Sequence, residues 1–296
     1  MLVRMPDHTP IWLERLADAL ADEVVGTARL SGGDVADAFR VTLASGRHVF
    51  AKTHRRPPPS FFTTEAVGLE WLRDAGAVDV PRVLSYGDDP DGPYLALEWI
   101  DVGAGPRGDD ADLGRRLARL HRAGAPSYGR ADRRPTGSRS LPNDPCDTWV
   151  EFFAERRLRP LIRLAADEGA LPSPVLDRIE EIAARLEEIG GPPEQPARLH
   201  GDLWAGNRVV DTAGRSWLID PAAHGGHREF ELAMMQLFGG FGRDVFAAYD
   251  DEHPLAAGWI DRVPLHQLAP LMVHTVKFGG GYVGATARAV DAVRSI

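Results

Sequence analysis

One short stretch of the chain arranges polar residues in an order that suits phosphoryl transfer. It runs His200-Gly-Asp202-Leu-Trp204-Ala-Gly-Asn207, and Asp220 follows after two short apolar runs. Phosphoryl transfer needs a carboxylate that orients the acceptor hydroxyl, and oxygen ligands for the cations that bind the phosphates. Asp202 and Asn207 have the spacing of a catalytic base and a metal-binding asparagine. Asp220 stands where a second metal ligand is expected.

Each of these residues alone is common in ordinary structure. Asp and Asn favour turns, and an Asp before a proline often starts a helix. The combination is far more specific, because Val209-Val210 and Trp217-Leu-Ile219 are apolar enough to form two strands between the polar residues. The pattern predicts Asp202 as the catalytic base, and Asn207 with Asp220 as ligands of Mg²⁺.

A site of this kind also needs a strand lysine paired with a helix glutamate to hold the α and β phosphates of ATP. Lys52 ends the run Val49-Phe-Ala-Lys52, and the other lysine of the chain is Lys277. Glu65, near the start of the next predicted helix, is the preferred partner of Lys52. Glu70 is the rival partner.

Two further segments are predicted to contact the nucleotide. Gly32 and Gly33 lie between two strand signals and match a glycine-rich phosphate loop poorly, but their position predicts a flap whose backbone amides reach phosphate oxygens. Glu98, Trp99 and Ile100 precede the change from strands to helices, so they are predicted to form the hinge that binds the adenine edge.

The elements that must position these residues change in character near residue 101. Before it, alternating apolar segments predict strands, among them a hairpin over 39–52 and further strands over 80–84 and 94–100. Helical patterns begin at Pro10 and at Thr63 or Thr64. After it, apolar residues at helical spacing predict helices over 113–123, 149–166 and 174–189, with a long irregular segment over 125–147. We expect an α+β protein with a small antiparallel sheet lobe over 1–101 and a larger, mainly helical lobe over 102–296.

Composition narrows the functional classes. The net charge of −9 and the lack of a basic run argue against a nucleic-acid partner. No run of eighteen apolar residues predicts a membrane span, and the charged N-terminus is unlike a signal peptide, so a cytoplasmic protein is expected. The single cysteine, Cys146, excludes an internal disulfide framework. We expect a monomer.

With these residues assembled, the sequence resembles the fructosamine (ketosamine) kinases, within the wider aminoglycoside-phosphotransferase-like kinases. The resemblance rests on five stretches: Leu199 to Asn207, Ile219 to Ala222 with Gly226 to Met234, Leu237 to Phe241, Trp149 to Leu158 and Phe278 to Tyr282. It implies a protein-kinase-like bilobal fold and MgATP-dependent phosphorylation of a sugar hydroxyl on a ketosamine. The phosphorylated product is unstable and releases its amine, so the resemblance also implies deglycation of glycated protein amines.

The resemblance assigns roles to residues of this chain. Asp202 matches the base, Asn207 and Asp220 the magnesium ligands, and Lys52 and Glu65 the pair that positions ATP. Six further residues are predicted to contact substrate or to support the catalytic loop, residues 200–207. They are His200, Trp204, His227, Arg228, Glu229 and Glu231. For His227, Arg228, Glu229 and Glu231, a structural ion-pair network is at least an equal alternative. The segment 129–147 departs from the family pattern and carries additional arginines.

Three alternatives stay open at this stage. The acceptor could be an aminoglycoside, a choline-like amino alcohol or another small metabolite, since the wider superfamily shares the same skeleton. A nucleotide-binding pseudokinase would keep the fold without turnover. A metal-dependent hydrolase would use His200, Asp202, Asp220, His224 and His227, residue types that bind zinc.

Overall fold

The computed structural model describes residues 9–31, 36–103, 108–135 and 139–293. By contacts within the chain, it divides into two units. The sheet unit comprises residues 1–108 and 209–221, and the helical unit comprises residues 109–208 and 222–296. The predicted domain boundary at residue 101 stays a prediction.

The sheet unit is built around an antiparallel sheet of five strands. Its strands and helices are α1 (Ile11–Leu20), β1 (Val24–Arg29), β2 (Asp37–Leu43), β3 (His48–Thr53), α2 (Phe61–Asp74), β4 (Val83–Gly87) and β5 (Tyr94–Glu98). The strand order is β1-β2-β3-β5-β4. Along β2, Val41 and Leu43 are buried and Arg40 is exposed, the alternation of a strand with one face on a core. Gly46 makes the predicted β2–β3 turn with a positive φ of 85°.

Helix α2 begins earlier than the sequence predicted. The predicted caps, Thr63 and Thr64, lie inside the helix, which starts at Phe61. The first turn is capped instead by Asp88, whose carboxylate accepts the backbone N–H groups of Phe62 and Thr63 at 2.8 and 3.0 Å. A cap supplied from a distant part of the chain leaves no local sequence signal, which is why the prediction was wrong.

A second small sheet belongs to the same unit. It pairs β7 (Arg208–Val210) with β8 (Ser216–Leu218), the two strands predicted between Asn207 and Asp220. The amide of Leu218 donates to the carbonyl of Asp79 at 2.9 Å, and the amide of Thr212 donates to the carbonyl of Asp101 at 3.0 Å. These bonds join the hairpin, and Asp220 after it, to the sheet unit.

The helical unit confirms the predicted change from strands to helices along the chain. Its helices are α3 (Asp110–Arg122), α4 (Trp149–Phe153), α5 (Arg159–Asp167), α6 (Ser173–Ala184), α7 (Leu186–Ile189), α8 (Arg228–Phe238), α9 (Arg243–Glu252), α10 (Trp259–Phe278) and α11 (Gly281–Val293). A π-helical turn over Ala154–Leu158 joins α4 to α5, so the predicted helix over 149–166 is continuous but not regular. Helix α3 starts before the predicted Leu113, because Asp109 caps it.

Two strands of three residues stabilise the segment before Asp202, the predicted base. Strand β6 (Ala197–Leu199) pairs with β9 (His224–Gly226) and leads directly into His200. A core of aromatic and aliphatic side chains from α4 to α6, α10 and α11 lies beneath them, and Leu199 is fully buried in it. Among the described residues, no helix is long and apolar enough to cross a membrane.

Candidate active site

Within the sheet unit, three of the predicted residues meet at one point. The Lys52 ammonium lies 2.7 Å from Oε1 of Glu65 and 2.5 Å from Oδ1 of Asp220. Lys52 stands on β3, opposite Leu95 of β5, and Glu65 lies in the first half of α2. The structure therefore brings Lys52 to Glu65, the preferred of its two predicted partners, and adds Asp220 to the pair.

Two neighbouring carboxylates keep Lys52 in its charged form despite its burial. Burial by itself penalises the charged ammonium, but the carboxylates of Glu65 and Asp220 outweigh that penalty and raise the pKa of Lys52 above its usual value. Burial raises the pKa of Glu65, Lys52 counteracts this shift, and the nearby Asp220 adds to it. A fixed positive charge of this kind suits the binding of phosphate oxygens.

The backbone presents Asp220 in an unusual conformation. Its φ of 56° lies in the left-handed region, which few non-glycine residues adopt and which Asp and Asn tolerate best. Its side chain is 44% exposed, in contrast to the 10% of Lys52. Asp220 therefore offers a carboxylate that is held on one side by Lys52 and remains accessible to a ligand.

In the helical unit, Asp202 and Asn207 are brought together as predicted. The Asn207 carboxamide nitrogen donates to the Asp202 carbonyl at 2.8 Å and to the Asp202 carboxylate at 3.3 Å. A 3₁₀ turn over Ala205–Asn207 creates this proximity. Because the amide nitrogen of Asn207 faces Asp202, its carbonyl oxygen is the atom left to bind a cation.

Glu231 holds the backbone immediately before Asp202. Its carboxylate accepts the N–H groups of His200 at 3.0 Å and Gly201 at 2.6 Å, and it also contacts the His121 ring at 3.0 Å. Burial opposes the ionisation of Glu231, but the hydrogen bonds that it forms with His121 and the Gly201 amide outweigh burial and lower its pKa. The loop is thus fixed by a buried anion in α8.

The glycine of the His-Gly-Asp motif has a steric reason. Gly201 has a φ of 83°, and a Cβ atom there would lie 2.2 Å from the carbonyl oxygen of Ala222. Any side chain would push the loop away from the turn that follows Asp220. His200 is fully buried, and its Nδ1 atom faces the Asp202 amide at 3.3 Å.

The other predicted nucleotide contacts are partly described. Gly32 and Gly33 lie outside the described residues. Glu98 is tied to the main chain of Arg82, whose N–H donates to the Glu98 carboxylate at 2.8 Å, while the Glu98 N–H donates to the Arg82 carbonyl at 2.9 Å. Trp99 donates its indole N–H to Asp101 at 2.9 Å. The hinge role of Glu98, Trp99 and Ile100 stays a prediction.

The Gly-His-Arg-Glu stretch divides into two kinds of residue. Glu231 supports the catalytic loop, whereas Arg228 forms a two-pronged ion pair with Glu194, at 2.7 and 2.8 Å. Glu229 pairs with Arg262 at 2.5 and 2.9 Å, and the buried His227 ring packs on Trp149 at 5.2 Å. These contacts favour the structural alternative for His227, Arg228 and Glu229.

The zinc hydrolase alternative finds no support among the described residues. The one group of His, Asp and Glu side chains there that is close enough to hold a metal is His227, Glu229 and His266. It includes neither Asp202 nor Asp220. Both Glu229 oxygens already accept hydrogen bonds from Arg262, and a second cation at this buried carboxylate would meet that charge.

Three supporting residues were missed by the sequence reasoning. His121 of α3 and Tyr249 of α9 share a hydrogen bond at 2.7 Å, which extends the network of Glu231 into the helical core. The available signal was weak: a lone histidine on the apolar face of a predicted helix. Arg208, next to Asn207, pairs with Asp110 at 2.6 Å and was missed because the two are far apart in sequence.

The fold and the polar residues together define the class of phosphotransferases with a protein-kinase-like fold. An aminoglycoside phosphotransferase bound to ADP and hygromycin B shares that fold, with a TM-score of 0.59 at 18% identity, over 97% of this chain and 99% of that one. This likeness concerns the fold alone, and it confirms the predicted α+β class.

The chain belongs to the fructosamine kinase family, whose model matches residues 13–295. It is 36% identical over 252 residues to a probable ketoamine kinase of Enterococcus faecium, covering 85% of this chain and 89% of that one. It is 32% identical over 282 residues to the chloroplastic protein-ribulosamine 3-kinase of Arabidopsis thaliana, covering 93% and 85%. A solved fructosamine-3-kinase candidate from Thermobifida fusca has a TM-score of 0.88 at 37% identity, covering 98% and 100%. The predicted family and enzyme class are confirmed.

Proposed function

We propose that this chain transfers the γ-phosphoryl group of ATP to a sugar hydroxyl of a ketosamine, with Asp202 as the base. The observation that carries the substrate class is the likeness to the protein-ribulosamine 3-kinase, which extends over 93% of this chain. It favours sugar amines over the aminoglycoside and choline-like acceptors. Phosphorylated ketosamines release their amine, so the proposed role is deglycation of small ketosamines and of glycated protein amines.

The proposed chemistry is direct, in-line transfer that relies on positioning and charge. Asp202 orients the acceptor hydroxyl and accepts its proton late, and Asn207 fixes the direction of the Asp202 carboxylate through the 3.3 Å hydrogen bond. Lys52, which Glu65 and Asp220 hold in its charged form, binds the α and β phosphates. No covalent intermediate with the protein is needed.

A divalent cation fits the donor atoms that these residues offer. Asp220 presents a partly exposed carboxylate and Asn207 an amide oxygen, and hard cations such as Mg²⁺ prefer oxygen ligands. Asn207 and Asp220 would hold the ion. When bound, Mg²⁺ neutralises charge that develops on the phosphates.

The decisive test is ADP release from MgATP with purified protein. Fructosyl-lysine and ribulosyl-lysine are compared with free fructose, free ribose and an aminoglycoside at equal concentration. Turnover confined to the two sugar amines supports the proposal. Turnover on the aminoglycoside alone would contradict the substrate class, and nucleotide binding without turnover on any acceptor would indicate a pseudokinase.

A matched variant separates catalysis from contamination. Asp202→Asn keeps the size of the side chain and its place in the loop but removes the base. ADP release that persists at the wild-type rate in this variant would come from another protein or from another base, and the assignment of Asp202 would be wrong.

A further inference from the structure

A row of aromatic rings runs away from the catalytic loop along the helical unit. We name Trp204, Phe238, His274, Phe278 and Tyr282 the aromatic strip. Trp204 contacts Phe238 at 6.3 Å between ring centroids, and Phe238 contacts His274 at 4.7 Å. His274 then contacts Phe278 at 5.5 Å and Tyr282 at 5.1 Å. The strip thus connects the loop of Asp202 with the end of α10 and the start of α11.

The two ends of the strip are exposed, which the packing of the core does not explain. Trp204 is 42% exposed and Phe278 is 51% exposed. Among the described residues of the helical unit, the large apolar side chains that are exposed are these two and Ile260. Phe238, His274 and Tyr282 are half-buried and serve as the outer layer of the core, but the end rings leave apolar surface in water.

Three glycines with open surroundings lie beside the outer end of the strip. A Cβ atom placed at Gly281 would have no neighbour within 4 Å, and its backbone does not require glycine. The preceding Gly279 and Gly280 have positive φ and equally open surroundings. Open space next to Phe278 and Tyr282 leaves room for an extended ligand.

We propose that the aromatic strip binds the amine-bearing side of the ketosamine, with the alkyl chain and flanking peptide of a glycated lysine packed along its outer rings. This inference rests on the proposed function. Trp204 is two residues from Asp202 in sequence, so the inner end of the strip begins near a sugar that is held at Asp202. The amine side of a protein-bound substrate must extend outward from the sugar, and the strip leads from the loop to exposed surface.

The chemistry of the strip suits this occupant. Aromatic faces attract ammonium groups within about 6 Å, and their apolar surface packs against methylene groups. Lys277 already places its ammonium 4.8 Å from the ring centre of Phe278, so the outer end of the strip suits the methylene groups and peptide of the lysine rather than the ammonium, which is bonded to the sugar. Burial lowers the pKa of His274, and so does the charge of Lys277, so the imidazole is neutral near pH 7 and adds no repulsion toward a cation.

The test varies the amine side of the substrate while the sugar stays constant. The acceptors are fructosyl-methylamine, fructosyl-lysine and a peptide with one central fructosyl-lysine, each assayed by ADP release with wild type, Phe278→Ala and Phe278→Lys. We expect Phe278→Ala to lower kcat/KM about tenfold on the peptide and to leave the methylamine substrate within about twofold. Phe278→Lys replaces the ring with a second charged chain beside Lys277 and should lower the peptide value at least as far.

Ile260→Ala is the matched control, because Ile260 is 55% exposed and lies in the same helix as Phe278. Eighteen residues of helix separate the two, about 27 Å. The inference is overturned if Phe278→Ala lowers all three acceptors equally, if it changes none, or if Ile260→Ala has the same selective effect. Wild-type turnover with an insensitive Phe278 removes only this inference, whereas no wild-type turnover on any ketosamine removes the proposed function and the inference with it.

Discussion

The carboxylate of Glu231 accepts the backbone N–H of Gly201 at 2.6 Å, one residue before Asp202. Glu231 also accepts the N–H of His200, so two amides of the catalytic loop depend on one buried side chain. The position of the proposed base is therefore set by a side chain of α8, through main-chain N–H groups of the loop. Glu231 and Asp202 therefore differ in role: Glu231 holds the loop, and Asp202 is the proposed base.

Glu231→Gln tests the loop support. The amide can accept with its oxygen, but its NH₂ group then faces the N–H of His200 or of Gly201, because each oxygen of the carboxylate accepts one of these amides. A buried donor left without an acceptor costs about 1–3 kcal/mol. We expect the free energy of unfolding to fall by that amount in urea titrations and kcat to fall with little change in the KM for ATP. Unchanged kcat would show that the loop does not need this carboxylate.

Asp202→Asn tests the base itself. General acid–base catalysis contributes typically about 10²–10⁴-fold, and the amide cannot accept the proton. We expect kcat to fall by that range, while the dissociation constant for ATP, measured by calorimetry, stays within about threefold, since the binding energy comes from other groups. A large loss of ATP affinity would instead place Asp202 in nucleotide binding.

Lys52 and Glu65 can be separated into folding and activity by a double substitution. Lys52→Met leaves the buried Glu65 carboxylate uncompensated, which costs about 3–5 kcal/mol, and it also removes the phosphate contact. Adding Glu65→Gln removes the unpaired charge. We expect the double variant to regain most of the lost thermal stability but to keep a kcat/KM for ATP about 10²–10³-fold below wild type. Recovery of activity together with stability would refute the role of Lys52 at the phosphates.

Much of the candidate site could be predicted because its residues are close in sequence. Asp202 and Asn207 lie in one loop, and the hairpin that follows carries Asp220, so their spacing alone indicates chemistry. Lys52 was identifiable because lysine is scarce in this chain. The five-stranded sheet and the helical remainder followed from apolar alternation and periodicity, and the structure confirms both.

The parts that the sequence did not predict depend on contacts between distant segments. Asp88 caps α2 from 26 residues away, and His121 reaches Glu231 across 110 residues. Neither contact leaves a periodic or local pattern. Likewise, four polar side chains lie close together from His227 to Glu231, and among the described contacts it is Glu231 that accepts the amides of the catalytic loop. Which face of α8 meets the loop is decided by tertiary packing rather than by residue type.

The proposed magnesium ligands predict a specific metal dependence. EDTA should abolish ADP release, and added Mg²⁺ should restore it. Asp220→Asn keeps an oxygen but removes the charge, so we expect turnover about 10²-fold lower and a higher Mg²⁺ concentration for half-maximal rate. Asp211 carries a carboxylate in the same hairpin, bound to Arg215 and Trp217, and Asp211→Asn is the matched control. An equal Mg²⁺ requirement in both variants would argue against Asp220 as a ligand.

Buried histidines predict how stability depends on pH. Burial, reinforced by Arg157 for His224 and by His266 for His227, lowers the pKa of both histidines to about 3. An unfolded chain takes up these protons near pH 6.5, while the folded protein does not until the pH nears 3. The unfolded state therefore binds more protons throughout that window, and stability falls as the pH falls. We expect each histidine to lower the free energy of unfolding by about 1.4 kcal/mol per pH unit once the pH is well below 6.5.

Urea titrations at pH 7.0, 6.0, 5.5 and 5.0 measure this slope. His224→Asn keeps a donor near the position of Nδ1, which faces the Ala222 carbonyl at 2.8 Å, but it cannot titrate in this range. Its slope between pH 6.0 and 5.0 should be smaller than that of wild type by about 1.4 kcal/mol per pH unit. The exposed His48 on β3 provides the control variant His48→Asn, which makes the same substitution outside the core. Equal slopes for wild type and His224→Asn would mean that His224 takes up its proton in the folded protein as readily as in the unfolded chain.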